Sequence, residues 1–367
     1  MRIGILARGL SEKSGGPKQY IESMISALLK FDAKNQYIIF YNRFNHLGKF
    51  PHTAERVLNI PTKLLWDYIG VPLAARREKL DLLVCPKNVV PYFVSCRSVI
   101  VIHDLAYFIE ELNEYKFGDT LYMRRTMPSS ARRTDAIIAI SENTKKDIIQ
   151  FIGVSANKIS VIYEAPDKKY RIIKDHQEKE RVIREYALKV PFIFYSGSLS
   201  PRKNISSLLE SFARIKNRIP HYLVFTAGKS WKDSPVFKKI QELEIEDRII
   251  VAGHVNDEDM PLFYNLADLF VYPSLYEGFG LPPLEAMACG CPVITSNTSS
   301  LPEVVNGAAI MVDPHDFDQL AEKMYEVLTN DILKKELIEK GIKRVALFSW
   351  EKVAEKMVRL FEGLKSQ

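Results

Sequence analysis

Glu277 and Glu285 stand with seven residues between them in the stretch Ser274-Leu-Tyr-Glu277-Gly-Phe-Gly280-Leu-Pro-Pro-Leu-Glu285. The stretch follows an apolar, strand-like run, Leu269 to Tyr272, and leads into a helix-like segment. Two glycines let a backbone approach a bulky ligand closely. Pro282 and Pro283 suit the first turn of a helix, whose N–H groups face an anion such as phosphate. Carboxylates repel phosphate but accept hydrogen bonds from hydroxyls. Amides for phosphate with acceptors for sugar hydroxyls on either side therefore point to a nucleotide sugar.

Other residues extend that chemistry, each with a plainer alternative. Arg202 and Lys203 fall between a predicted strand, Phe192 to Ser196, and a predicted helix, Ile205 to Lys216. There Arg can grip phosphate oxygens through two N–H groups while Lys supplies a compact charge; a basic surface loop is the alternative. Gly15-Gly16 closes the loop after the first strand, with amides that suit a phosphate or simply a turn. His103-Asp104 ends a strand that begins at Val99, where a histidine can serve catalysis or just structure. The triplet Asp257-Glu-Asp259 is read as a helix start, with Asn256 or Asp257 capping ahead of Pro261, and not as a metal site. Ser141 with Thr144, and Asp316 before Phe317, also read as helix starts. Cys289-Gly-Cys291 has no companion His or Cys cluster and reads as two small buried residues.

The elements that must position these groups alternate from the start. Strand-like runs at Ile3 to Ala7, Tyr37 to Tyr41, Leu82 to Cys85 and Val99 to His103 are interleaved with helical periodicity such as Gln19 to Leu29. The alternation restarts after a charged segment, Asp167 to Lys189, with strands at Phe192 to Ser196, Tyr222 to Ala227, Ile249 to Ala252, Leu269 to Tyr272 and Val293 to Thr295. The order predicts an α/β protein of two doubly wound, Rossmann-like domains, residues 1–170 and 171–349. The amphipathic run Trp350 to Leu364 is expected to return to the first domain, and the active site to lie between the two.

At 367 residues and 47% hydrophobic the chain can bury two cores. No apolar run approaches the roughly 18 residues of a membrane span, Ile3 to Ala7 is too short for a signal peptide, and four cysteines suit a reducing compartment. A cytoplasmic protein is expected. Residues 1–165 carry 23 Lys and Arg against 16 Asp and Glu, a balance of +7, and the remainder 28 against 29, or −1. Arg124-Arg125 and Arg132-Arg133 could face anionic lipid peripherally or form a solvated helix face. Nucleic acid is not expected, because no recognition module or stacking platform accompanies the charge.

Glu277 and Glu285, in register with Tyr195-Ser-Gly197-Ser-Leu-Ser-Pro-Arg202-Lys203-Asn204, Ile140-Ser141-Glu-Asn-Thr144, His103-Asp104 and Gly15-Gly16, resemble the retaining glycosyltransferases of family 4, which have the GT-B fold. The resemblance implies that Glu277 holds the transferred sugar, aided by amides of Gly278, Phe279, Gly280 and Leu281, and that Glu285 holds the ribose. It implies diphosphate binding by Arg202 and Lys203, a phosphate contact at Gly15 and Gly16, and His103 beside the sugar, with neither metal nor cofactor. Two departures stand out. Gly197-Ser198 replaces the usual Gly-Arg, and Glu164, in Tyr163-Glu-Ala-Pro166, replaces a common Asn-Gly turn. The runs Ser141-Glu-Asn-Thr, Tyr163-Glu-Ala-Pro and Tyr276-Glu-Gly-Phe are most similar to mannosyltransferases of surface-polysaccharide (O-antigen) assembly. GDP-mannose is then the favoured donor and a glycan or lipid-linked hydroxyl the acceptor. A glycoside phosphorylase on the same scaffold and a catalytically silent carbohydrate-binding protein are the alternatives.

Overall fold

The structure, a computed structural model, describes residues 1–11, 16–51, 53–112, 114–226 and 235–365. Gly15 and Ala227 lie outside the described residues, and Gly16 is the first residue of a helix, Gly16–Phe31. The chain divides into two compact units. One comprises residues 1–109, 115–164 and 349–367, the other residues 110–114 and 165–348.

The first unit holds seven parallel strands: β1 (Arg2–Leu6), β2 (Gln36–Tyr41), β3 (Ala54–Val57), β4 (Leu82–Cys85), β5 (Arg97–Ile102), β6 (Ala136–Ala139) and β7 (Ile159–Val161). Their order is β3-β2-β1-β4-β5-β6-β7. β4 and β6 are buried at every position and β5 at five of six, as strands covered by helices on both faces must be. The helix Trp350–Lys365 belongs to this unit. It buries Trp350, Val353, Ala354, Met357, Val358, Phe361 and Leu364, the spacing of one helical face, and the Trp350 ring meets Tyr20 of the helix Gly16–Phe31 at 5.6 Å.

The second unit holds β8 (Phe192–Tyr195), β9 (Tyr222–Phe225), β10 (Ile249–Val251), β11 (Leu269–Tyr272), β12 (Val293–Ser296) and β13 (Ile310–Val312), all parallel, in the order β10-β9-β8-β11-β12-β13. In each sheet the chain winds outward in one direction and then the other. The reversal leaves a crevice at the carboxyl ends of β1 and β4 in the first sheet, and of β8 and β11 in the second.

The charged stretch after Asp167 holds a helix, His176–Glu185, which starts where Asp175 accepts from the Gln177 and Glu178 amides and which buries Val182 alone. Two sequence expectations need correction. The acidic triplet does not cap the helix Met260–Leu266 through a side chain. Asp259 is instead buried, taking hydrogen bonds from Arg181 (2.5 Å) and from the Tyr186 hydroxyl (2.8 Å), so it ties one helix to another. The paired arginines do form part of a helix, Phe117–Arg133, but three of them serve the fold. Arg124 donates to the Tyr107 carbonyl, Arg132 to that of Ile152, and Arg133 to those of Val90 and Pro91. Ser141 and Asp316 do cap their helices, accepting from the amides of Thr144 and Gln319.

Candidate active site

Two loops meet at the crevice of the second sheet, one after β8 and one after β11. The first contains the short helical turn Pro201–Lys203, closed by Asn204 in the left-handed region at φ 52°. Asn is among the few residues that tolerate this conformation. Its amide spans to the carbonyls of Pro273 (3.1 Å) and Pro314 (2.8 Å), while the Leu275 amide donates to the Arg202 carbonyl at 2.8 Å. Asn204, whose role no local pattern in the chain reveals, fastens the two loops together.

Glu277 lies at that junction, buried, with donors converging on both oxygens. Lys203 Nζ and the Ser274 hydroxyl each lie 2.6 Å from Oε1, the Tyr272 hydroxyl lies 2.9 Å from it, and Arg202 Nη1 is 3.2 Å from Oε2. Burial alone would raise the Glu277 carboxyl, but Lys203 and Arg202 overcome it and hold it at about 2. Its backbone is fixed as well: the Glu277 amide donates to Ser299 Oγ, and the Ser300 hydroxyl donates to the carbonyls of Glu277 and Phe279. The two cations expected on a diphosphate are therefore packed against Glu277 in this structure. Arg202 also donates to the Tyr276 carbonyl at 2.9 Å and has Glu114 at 3.7 Å. Glu114 is a further carboxylate that the sequence did not flag. Ser198, where the resemblance implies Arg, sets its hydroxyl 3.1 Å from that of Ser200, and its carbonyl accepts from the Tyr195 hydroxyl at 2.9 Å.

Gly280 precedes the helix Leu281–Ala288, with Pro282 and Pro283 in its first turn. Its φ of 107° favours glycine, and a Cβ there would fall 2.7 Å from Leu301 Cδ2. Glu285 lies on this helix, 6% exposed. The Tyr264 hydroxyl donates to it at 3.1 Å and is itself held by Ser196 at 2.8 Å. Burial, only partly offset by Tyr264, Lys169 and Tyr170, pushes this carboxyl up to about 7. Two glutamates of one loop-helix segment thus sit in opposite electrostatic states. Cys289 and Cys291 are buried at the end of this segment, and burial pushes the Cys289 thiol up to about 12.

In the first unit, His103 follows β5 and is 9% exposed. Its Nδ1 lies 3.3 Å from Glu164 Oε1, its Nε2 2.8 Å from the Pro86 carbonyl, and the Tyr20 ring stands perpendicular to it at 4.7 Å.

Two doubly wound sheets, with loops carrying paired cations and acidic residues at the crevice of one, are the components of the GT-B architecture. Residues 15–169 match the model of Glycosyltransferase Family 4 and residues 176–344 that of Glycosyl transferases group 1. An O-antigen chain mannosyltransferase B from Escherichia coli is 32% identical over 272 residues, 73% of this chain and 71% of that protein. An O-antigen chain mannosyltransferase RfbU from Salmonella typhimurium is 30% identical over 83% of this chain and 85% of its own. The serotype-specific mannosyltransferase WbdA of Escherichia coli matches at 31% over 74% of this chain but only 34% of its own length. Among solved structures, a sucrose-phosphate synthase from Thermosynechococcus elongatus superposes with a TM-score of 0.80 at 21% identity, covering 100% of this chain and 99% of its own. Anabaena HepE in complex with UDP-glucose gives 0.78 at 19%, covering 99% and 100%. The chain belongs to glycosyltransferase family 4 and is a hexosyltransferase of the GT-B fold.

Proposed function

We propose that the protein is a retaining mannosyltransferase that moves mannose from GDP-mannose to a hydroxyl of a glycan or lipid-linked acceptor, without metal or cofactor. The observation that carries this reading is the cluster of Lys203, Arg202 and Glu277 at the second crevice, with Glu285 on the helix Leu281–Ala288 that follows. The three relatives reported above are mannosyltransferases, which favours mannose over other hexoses.

In this reading the incoming diphosphate draws Arg202 and Lys203 toward its oxygens. Glu277 then has lone pairs for a sugar hydroxyl, and the amides of Gly278, Phe279, Gly280 and Leu281 line the same segment. Glu285 accepts from the ribose hydroxyls. The bond from the anomeric carbon to the diphosphate oxygen breaks as the acceptor oxygen bonds to that carbon. The acceptor proton passes to the departing diphosphate, whose charge the two cations stabilise; preorganised donors of this kind lower a barrier by about 3 kcal/mol each. Four donors already converge on Glu277, which suits it to holding charge and hydroxyls and not to nucleophilic attack, in keeping with transfer on one face. Gly16, with its neighbour Gly15, is assigned to a phosphate contact and His103 to the catalytic set.

A cytoplasmic enzyme in peripheral contact with the inner face of a membrane fits this acceptor. Among the described residues no helix is long and apolar enough to cross a membrane. The contact is supported by exposed Leu64, Ile69, Leu73, Phe93 and Phe117 in the first unit, together with that unit's excess of basic residues. Turnover with a panel of GDP-mannose, UDP-glucose and UDP-N-acetylglucosamine tests the donor. GDP-mannose should be consumed fastest, with the anomeric configuration kept in the product and no loss on adding chelator. A faster UDP-sugar, an inverted product or a chelator-sensitive rate would each refute the corresponding part. Co-sedimentation with anionic but not neutral vesicles tests the membrane contact.

A further inference from the structure

Glu164 is the residue for which neither the family pattern nor the sequence offers a reason, and the structure gives it one partner of consequence. It follows β7, is 6% exposed, and sets Oε1 3.3 Å from Nδ1 of His103, sixty-one residues earlier in the chain. The other ring nitrogen of His103 is also committed, with the Pro86 carbonyl oxygen 2.8 Å from Nε2. A carbonyl oxygen can only accept, and a carboxylate can only accept. A neutral imidazole has one N–H, so either tautomer would set a lone pair against one of these oxygens. An imidazolium donates to both. The backbone of His103 is held from both sides as well: Asn88 Oδ1 accepts from its amide at 3.1 Å and Thr144 Oγ1 donates to its carbonyl at 3.4 Å.

We propose that Glu164 is a positioning residue for the sugar transfer, whose carboxylate fixes the His103 ring as an imidazolium, so that His103 works as a fixed cation and not as the general base. This rests on the reading of the protein as a sugar transferase. The charged and titratable groups facing the ring are Glu164, Asp104 and Tyr20. Tyr20 is buried, its hydroxyl has no hydrogen-bond partner among the described residues, and burial together with Glu164 pushes its phenol up, so it stays neutral. Burial alone would lower the His103 ring; Glu164 overcomes it and raises the ring above its ordinary value. A base and a cation give opposite pH signs. A general base gains activity as pH rises through its pKa, whereas a required cation loses it.

The test combines ring NMR with kinetics. The chain has seven histidines, so 15N-histidine labelling, with His103→Asn to assign its signals, reports both ring nitrogens directly. Native protein should keep two protonated nitrogens on His103 above the ordinary histidine value of about 6.5. Glu164→Gln should bring the midpoint down to about that value or below, and Glu164→Asp should restore part of the difference. In step with the ring, kcat at saturating substrates should fall on the alkaline side of the native midpoint, and that limb should move to lower pH in Glu164→Gln with little change in donor KM. A neutral His103 ring in native protein at pH about 6.5, a midpoint unmoved by Glu164→Gln, or a kcat that rises through the His103 midpoint overturns the proposal. The ring measurement needs no substrate. Failure of every donor in the panel would therefore count against the assigned reaction and be told apart from failure of the pair.

Discussion

Replacing Glu285 by Gln should stabilise the unliganded protein near neutral pH and weaken its hold on nucleotide, and the two effects have one cause. The carboxyl rests at about 7 against an ordinary 4.5, because burial disfavours its charge, Lys169 offsets this only partly, and among the described residues no cation pairs with it as Lys203 pairs with Glu277. A folded value above the unfolded one means the folded state binds more protons between the two. This group's contribution is therefore fully present below about 4.5 and lost as pH rises to about 7. At about 1.36 kcal/mol per pH unit the loss is about 3 kcal/mol. Gln keeps the shape and the Tyr264 contact without the charge. Urea unfolding of both proteins at about pH 5, 6, 7 and 8 isolates the group, since every other titration cancels in the difference. Glu285→Gln should gain on the native protein by about 2 to 3 kcal/mol between the ends of that range. Ribose hydroxyls donate best to the ionised form, so nucleoside diphosphate affinity of the native protein should rise with pH through about 7 and that of Glu285→Gln should not. A stability difference that does not vary with pH would refute the reasoning.

Lys203→Ala leaves Glu277 buried with Arg202 as its one cation, which should cost about 3 kcal/mol of stability and lower kcat by about a hundredfold or more. The double variant with Glu277→Gln should recover much of the stability in the same urea assay but none of the turnover; equal loss in both would show that the pair is not coupled. Gly280→Ala should cost about 1 to 3 kcal/mol, because φ is 107° and the new Cβ would press on Leu301, and an unchanged unfolding midpoint would refute this. Glu114→Gln removes the second acid beside Arg202 and should tighten donor binding, measured by calorimetry, by up to about fivefold; weaker binding would mean that Glu114 assists the donor.

The second crevice was legible because its determinants are local. Glu277, the glycines, the prolines and Glu285 occupy one strand-loop-helix segment, where spacing in the chain is spacing in space, and Arg202 and Lys203 hold the equivalent place after the neighbouring strand β8. The strands read from sequence are those with long apolar runs, such as Ile38 to Tyr41 and Val99 to Ile102. Of those missed, β3, β7 and β13 are short strands at sheet edges, whereas β6 lies inside its sheet, is buried throughout and carries an apolar run no shorter than that of β4. β3 is partly exposed throughout and β13 has one buried residue, so neither carries a run long enough to read. The pairings of Glu164 with His103, Asp259 with Arg181, and Glu114 with Arg202 were hidden for another reason. Each joins residues sixty or more positions apart, and no local pattern encodes which acid will meet which base.

The two glutamates show how one short segment obtains two chemistries from one residue type. Glu277 follows β11 and faces the loop after β8, which delivers Arg202 and Lys203, so its charge is secured while it is buried. Glu285 sits about one turn into the next helix, under Tyr264, which the sheet order brings there from the helix before β11, and hydroxyls cannot replace a cation. Exchanging the partners would exchange the states. Groups whose environments drive their titrations apart in this way are assigned different tasks by physics before any substrate is named. Glu277 can hold a hydroxyl beside developing charge at any working pH, whereas Glu285 becomes a full acceptor only when a ligand hydroxyl or rising pH draws its proton away. At pH about 7 the Glu285 carboxyl is about half protonated, so nucleotide binding there should release up to about half a proton through this group, read as a buffer-dependent binding enthalpy, and that share should vanish in Glu285→Gln.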